Sequence, residues 1–314
     1  MMTRRPTALA TAALAAAALT LAGCSAATEP GASDDGRIAV VASTNVFADI
    51  VETVGGDRVD VTALIANESQ DPHDFEASAA AQLDVRGAQL LVQNGGGYDP
   101  FLTALVESSG SSAPVLSAVE YSPEWTGSDP SQAVEGFNEH VFYDPQTMAG
   151  LADAIADELA RLDPADAGTF TANAAAFRAD IDATITPTLD DIDAAHAGAE
   201  IFATEPVALY LTAAAGLENV TPEAFSEAVE AGQDVPPATL LDALDLIGGG
   251  SVRLVLVNAQ AGGAETTQVE QKAGDAGVPV VTASELLPAG KTYVSWMADM
   301  ATQLQTALDT GSAP

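Results

Sequence analysis

The apolar residues of this chain follow two alternating spacings. Residues 38–42, 59–65, 88–93, 200–203, 252–257 and 278–282 are short, mostly apolar runs, the pattern of strands covered on both faces. Between them apolar residues recur every three or four positions, the spacing of one buried helix face. Met148, Leu151, Ile155, Leu159 and Leu162 form such a stripe, opened by Asp144 as a capping residue and Pro145 at the first helical position. A longer stripe, Phe177, Ile181, Ile185, Leu189 and Ile192, predicts a helix over about 168–195 that Pro187 should kink. At ~1.5 Å per residue that helix reaches roughly 40 Å, enough to run the length of two lobes. Ser43 and Thr44 supply an N-cap for a helix over 45–54, and Gly55 and Gly56 stop it. Strands alternating with helices predict an α/β fold: two α/β lobes with mostly parallel sheets, joined by a long backbone helix.

The N-terminus departs from this pattern. Arg4 and Arg5 precede an apolar run over 8–19, too short to cross ~30 Å of hydrocarbon, and small residues follow it in Leu21-Ala22-Gly23-Cys24. Leu-Ala-Gly-Cys resembles the lipobox of bacterial lipoproteins, which implies acylation of Cys24 and anchorage to the outer side of the cell membrane. Residues 24–36 hold no large apolar side chain and read as a tether. The expected division is a signal peptide over 1–23, the tether over 24–36, an N-terminal α/β lobe over 37–165, a linking helix over 166–198 and a C-terminal α/β lobe over 199–314. Cys24 is the only cysteine, so the fold must rest on its own buried core. A net charge of −35 makes nucleic acid and anionic membrane surfaces poor partners, and no nucleic acid is expected. An acidic, solvated surface suits a secreted protein expected to be a monomer.

The chain has three histidines. His73 lies in Asp71-Pro72-His73-Asp74, a polar loop where a proline fixes the preceding backbone and carboxylates flank the ring. His140 lies in Asn138-Glu139-His140-Val141-Phe142-Tyr143-Asp144-Pro145, directly before a helix start. His196 ends the long helix, where the helix dipole favours a cation, and is read as structural.

These segments, in this order and spacing, resemble the metal-specific solute-binding lipoproteins of ABC importers, the adhesin-like manganese and zinc family. Residues 40–46, Val-Val-Ala-Ser-Thr-Asn-Val, resemble its first strand and turn, and Asp71-Pro72-His73 its first ligand loop. Asn94-Gly95-Gly96-Gly97-Tyr98-Asp99-Pro100 resembles a further loop of the first lobe, and Glu139-His140-Val141 the second ligand loop. Thr204-Glu205-Pro206 resembles the segment of the third ligand, with Glu where other members have His. Some members carry Asp where Thr282-Ala283-Ser284 has alanine; Glu285, two residues on, is the nearest carboxylate and the expected fourth ligand, with water as the alternative. The resemblance implies His73, His140, Glu205 and Glu285 around one ion in the interlobe cleft, with Mn2+ or Zn2+ as cargo. It also implies a membrane permease with its ATPase as partner and an extracytoplasmic, lipid-anchored location.

Two imidazoles with two carboxylates suit borderline to hard divalent ions, and the two carboxylates cancel a 2+ charge. A secreted zinc hydrolase could use the same residue types, but the chain has no His-Glu-x-x-His helix, no Gly-x-Ser-x-Gly elbow and no Gly-rich phosphate loop. An enzyme is therefore not expected. A binding protein for a metal chelate or another small molecule is the remaining alternative. Manganese is preferred slightly over zinc on ligand hardness, although zinc stands higher in the affinity order.

Overall fold

A computed structural model describes residues 36–311 apart from 69, 71 and 74. The signal sequence, Cys24, the tether apart from Gly36, and the carboxylates Asp71 and Asp74 lie outside the described residues. No helix among the described residues is long and apolar enough to cross a membrane.

The first sheet contains β1 (Ile38–Thr44), β2 (Val59–Ile65), β3 (Leu90–Gln93) and β4 (Val115–Ser117), all parallel, in the order β2-β1-β3-β4. Helices α1 (Asn45–Gly55), α2 (Ala79–Gly87) and α3 (Pro100–Ser109) connect its strands. Next come α4 (Pro145–Leu162), α5 (Ala167–Thr184) and α6 (Thr186–His196). The second sheet contains β5 (Glu200–Ala203), β6 (Glu218–Asn219), β7 (Leu254–Asn258) and β8 (Val280–Ala283), again parallel, in the order β6-β5-β7-β8. Its helices are α7 (Leu209–Ala214), α8 (Glu223–Glu230), α9 (Pro237–Gly248), α10 (Ala264–Ala276) and α11 (Tyr293–Thr310). Both sheets thus share one topology. In each the chain order reverses beside the first strand, so the loops after β1 and β3, and after β5 and β7, border a crevice at the strands' C-terminal ends, where parallel sheets gather ligands.

Burial explains which runs became strands. β3 and β7 lie inside their sheets and are buried along their whole length, as continuous apolar runs require. β2, at an edge, exposes Asp60 and Thr62. β4 and β6 have three and two residues, too little pattern for sequence to mark. Asp144 caps α4 by accepting from the Gln146 N–H at 3.0 Å, and Met148, Leu151, Ile155 and Leu159 are fully buried. Each such side chain contributes about 1.5–3 kcal/mol through burial. Thr44 stands at the N-cap of α1 but makes no capping hydrogen bond through its side chain, which is itself buried.

The long helix is interrupted only at Ile185, which keeps right-handed helical dihedrals (φ −99°, ψ −55°). The cause is Pro187, which has no N–H to offer the preceding turn. The predicted stripe is intact across the break, with Phe177, Ile181, Ile185, Leu189 and Ile192 all buried. These residues belong to one apolar core that joins the lobes, running from Val40 and Leu90 in the first sheet through Ile155 and Phe177 to Ile201 and Leu254 in the second. A smaller core under the outer face of the first sheet contains Val41, Ile65, Phe101 and Leu102, and also Leu286, which follows β8 of the second sheet.

Candidate metal centre

His140 sits at the start of a single 3-10 turn, Val141–Tyr143, wedged between the lobes. Its orientation is set by Asn138. The Asn138 amide donates to the Pro206 carbonyl at 2.9 Å, which turns its Oδ1 toward His140. That oxygen then accepts from the His140 backbone N–H at 3.1 Å and from Nδ1 at 2.9 Å. Since a carbonyl oxygen can only accept, Nδ1 carries the proton and Nε2 presents a lone pair. Nε2 is buried and has no hydrogen-bond partner among the described residues. Burial, reinforced by the positive charge His73 can carry, lowers the His140 pKa to about 3, so the ring is neutral across the physiological range.

His73 reaches the same point from the loop after β2, its side chain 28% exposed. Tyr98 packs edge-on against both imidazoles, with ring centroids 5.1 Å from His73 and 5.7 Å from His140. Tyr98 is positioned by the loop after β3. Asp99, buried, accepts from the N–H groups of Asn94 and Gly95 at 2.7 and 2.8 Å, folding that loop over its own carboxylate. At Gly95 (φ +79°) a Cβ would come within 2.7 Å of the Pro130 carbonyl, so only glycine fits. Burial raises the Asp99 carboxyl, and the bonds it accepts work against that rise.

From the second lobe, Glu285 enters on the turn after β8 and is 1% exposed. Its Oε2 lies 3.7 Å from His73 Nε2 and 4.0 Å from His140 Nε2. These separations exceed a hydrogen bond and approach the edge of a ligand shell, since donors at about 2.1 Å from one ion at tetrahedral angles stand roughly 3.4 Å apart. Ligand atoms of His73, His140 and Glu285 all fall within 4.8 Å of one another. Glu205, just beyond β5, is not one of these three. It is tied to them through Asn258 at the end of β7, whose Nδ2 donates to Glu205 Oε2 at 2.8 Å and to Glu285 Oε1 at 2.7 Å. The Gln260 N–H bonds Asn258 Oδ1 at 3.1 Å, fixing the amide with its donors toward the carboxylates. The structure therefore brings together three of the four expected residues and places the fourth one amide away. Ala283 is buried at the end of β8. His196 lies elsewhere, bonded to Asp309 at 2.9 Å.

Bonds between the lobes close around this point. Asn45 donates to the Leu287 carbonyl at 2.8 Å and accepts from its N–H at 3.0 Å. The Tyr143 hydroxyl donates to the Ser284 carbonyl at 2.9 Å. Gln260 reaches the Glu68 carbonyl at 2.7 Å. Sequence reasoning missed Asn138, Asn258 and Glu230. Glu230 ends α8, and its ligand atom lies within 4.8 Å of those of Glu139 and His140. Burial, then repulsion from Glu139, Glu205 and Glu285, pushes the Glu230 carboxyl up to about 8. A cleft of about 650 Å³, lined by His73, Glu230 and Gln260, connects the site with solvent.

Two parallel α/β lobes of one topology thus meet over buried imidazole and carboxylate groups at their strand ends. The chain belongs to the family described as zinc-uptake complex component A, periplasmic, which matches residues 40–307. It is 30% identical over 165 residues to the manganese-binding lipoprotein MntA of Halalkalibacterium halodurans, a stretch covering 52% of this chain and 53% of that protein. It is 29% identical over 170 residues to the metal ABC transporter substrate-binding lipoprotein ScbA of Streptococcus cristatus, covering 50% of this chain and 52% of that one. The chain thus spans about half the length of the curated relatives it matches. A crystal structure of ZnuA superposes with a TM-score of 0.70 over 87% of this chain and 99% of its own, at 19% identity. A mutant of the laminin-binding adhesin Lmb of Streptococcus agalactiae gives 0.70 over 86% and 99%, at 22% identity. At such identities these two show the shared fold.

Proposed function

We propose that this protein captures a divalent transition metal, manganese or zinc, outside the cytoplasm and delivers it to an ABC importer made of a membrane permease and its ATPase. His73, His140, Glu205 and Glu285 are the proposed ligands. The observation that carries this is His140 Nε2, a buried lone pair without a hydrogen-bond partner among the described residues, held toward a second imidazole and a carboxylate. Leaving such a group without a partner costs about 1–3 kcal/mol, which coordination of a cation removes. Two neutral imidazoles and two carboxylates would balance a 2+ ion. His73, His140 and Glu285 converge too closely to admit a small-molecule chelator between them, so a bare ion is favoured over a metal chelate.

The named relatives and family point the same way, being described as manganese-binding, as metal ABC transporter substrate-binding and as a zinc-uptake component. The family is one of transport proteins and not an enzyme class. Carboxylate-rich surroundings favour manganese on hardness, whereas zinc stands higher in the affinity order, so growth under depletion of each metal is the measurement that separates them. Acylation of Cys24 would hold the protein at the membrane, and Cys24→Ser should release it into the soluble fraction. The central test is elemental analysis after dialysis of the purified protein. One equivalent of metal in the parent and none in His140→Ala is the expected result; a parent that retains no metal and gains no thermal stability from it would refute the proposal.

A further inference from the structure

Glu139, His140 and Glu230 form a second group of ligand atoms, all within 4.8 Å of one another, that shares only His140 with the His73 and Glu285 cluster. Glu230 is the last residue of α8, and the turn after it is firmly built. Gln233 N–H bonds the Ala228 carbonyl at 2.8 Å and Gly232 N–H the Val229 carbonyl at 3.0 Å, with Gly232 left-handed at φ +62°. This double-bonded helix end fixes the Glu230 backbone.

The position is a poor one for a carboxylate. It stands at the negative end of a helix. Glu139, Glu205 and Glu285 all repel it. Its Oε1 is buried with no hydrogen-bond partner among the described residues. A divalent cation relieves all three conditions at once. His140, wholly buried with a bare Nε2, belongs to both groups and is a second pointer to a cation beside Glu230. Glu230 lines the cleft that opens to solvent together with His73 of the inner cluster, whereas Glu285 does not, so the carboxyl borders the route to the inner ligands.

We propose that Glu139 and Glu230 form a transfer position, where an incoming divalent ion is first held on carboxylate oxygens, exchanges its waters stepwise for His140 and the inner ligands, and passes again on release. This rests on the metal-capture function proposed above. A station on the path lowers the barrier in both directions and leaves the end states alone. Its removal should therefore slow loading and release together without changing affinity.

The test uses the full chain with Mn2+, loading and release being followed by stopped flow against a fluorescent chelator. Glu230→Gln, and more so Glu139→Gln with Glu230→Gln, should reduce both rates by about fivefold or more while Kd stays within about twofold. Asp234→Asn, which removes a charge from the same cleft wall, should leave both rates near those of the parent and controls for general attraction. Metal-free Glu230→Gln should melt no lower than the parent, since it loses a repelled carboxyl. Parental rates in Glu230→Gln would overturn the transfer position. So would a weakened Kd caused by faster release alone, which would make Glu230 a ligand of the bound state. A parent chain that takes up no Mn2+ or Zn2+ would instead overturn metal capture itself.

Discussion

Replacing Asn138 separates orientation of the imidazole from closure of the lobes. Asn138 performs two tasks: its Oδ1 takes the Nδ1 proton of His140, and its Nδ2 donates to the Pro206 carbonyl across the cleft. Asn138→Leu keeps the volume and removes both. The His140 ring can then rotate or change tautomer, and Nδ1–H loses its acceptor. Loss of such an outer hydrogen bond typically weakens metal binding by about 10- to 100-fold, or about 1.4–2.7 kcal/mol. Asn138→Asp keeps an acceptor for Nδ1–H and loses only the donor to Pro206. It should bind Mn2+ and Zn2+ within about threefold of the parent, since a carboxylate acceptor also makes the imidazole more basic. Isothermal titration with each metal measures both affinities, and nitrogen chemical shifts of His140 report the tautomer. Equal losses in the two variants would show that the Pro206 contact, not the tautomer, controls binding. Parental affinity in Asn138→Leu would refute the reasoning altogether.

Glu285→Ala should weaken Mn2+ by at least about tenfold and Zn2+ less, because three protein ligands and a water can still complete a four-coordinate shell; equal, unchanged affinities would mean that Glu285 does not coordinate. Metal at a thousandfold excess over Kd should add about 4 kcal/mol to stability, read as a rise in Tm at pH 7.5 that chelator reverses. For the metal-free protein, His140 has its pKa lowered from 6.5 to about 3, so the unfolded chain binds the extra proton. Its contribution is complete above pH 6.5 and shrinks as pH falls toward 3, by about 2 kcal/mol at pH 5. Comparing urea midpoints of the parent and His140→Phe at pH 7 and pH 5 isolates this from Glu230, whose raised pKa acts with the opposite sign; identical pH slopes in the two would contradict it.

Much of the architecture was legible because apolar spacing reports burial directly. The α4 stripe, the apolar run at 252–257 that contains most of β7, and the two lobes are consequences of which side chains leave water. β4 and β6 were not legible, being too short to carry a period. Among the proposed ligands, His73 and His140 stood out as rare side chains in unusual loops, and Glu205 and Glu285 through resemblance at strand ends. Asn138 and Asn258 gave no such signal. An amide has no charge to count, and what each does depends on partners distant in sequence, Pro206 for one and the pair Glu205 and Glu285 for the other. Glu230 resembles any exposed helical glutamate in a chain with 45 acidic residues. Only the fold reveals that it is turned inward.

Leu286 belongs by sequence to the second half of the molecule and by packing to the first, seated among Val41, Ile65 and Phe101. A boundary drawn through the linking helix is therefore not a line along which the protein can be dissected. A fragment ending near residue 198 would lack the leucine that fills its outer core. It would also lack Trp296, Met297 and Leu304 of α11, which belong to the core shared by the two lobes. The complementary fragment would expose those same side chains to water. The halves repeat one strand order, yet each carries part of the other's interior, so the smallest autonomous unit is the pair.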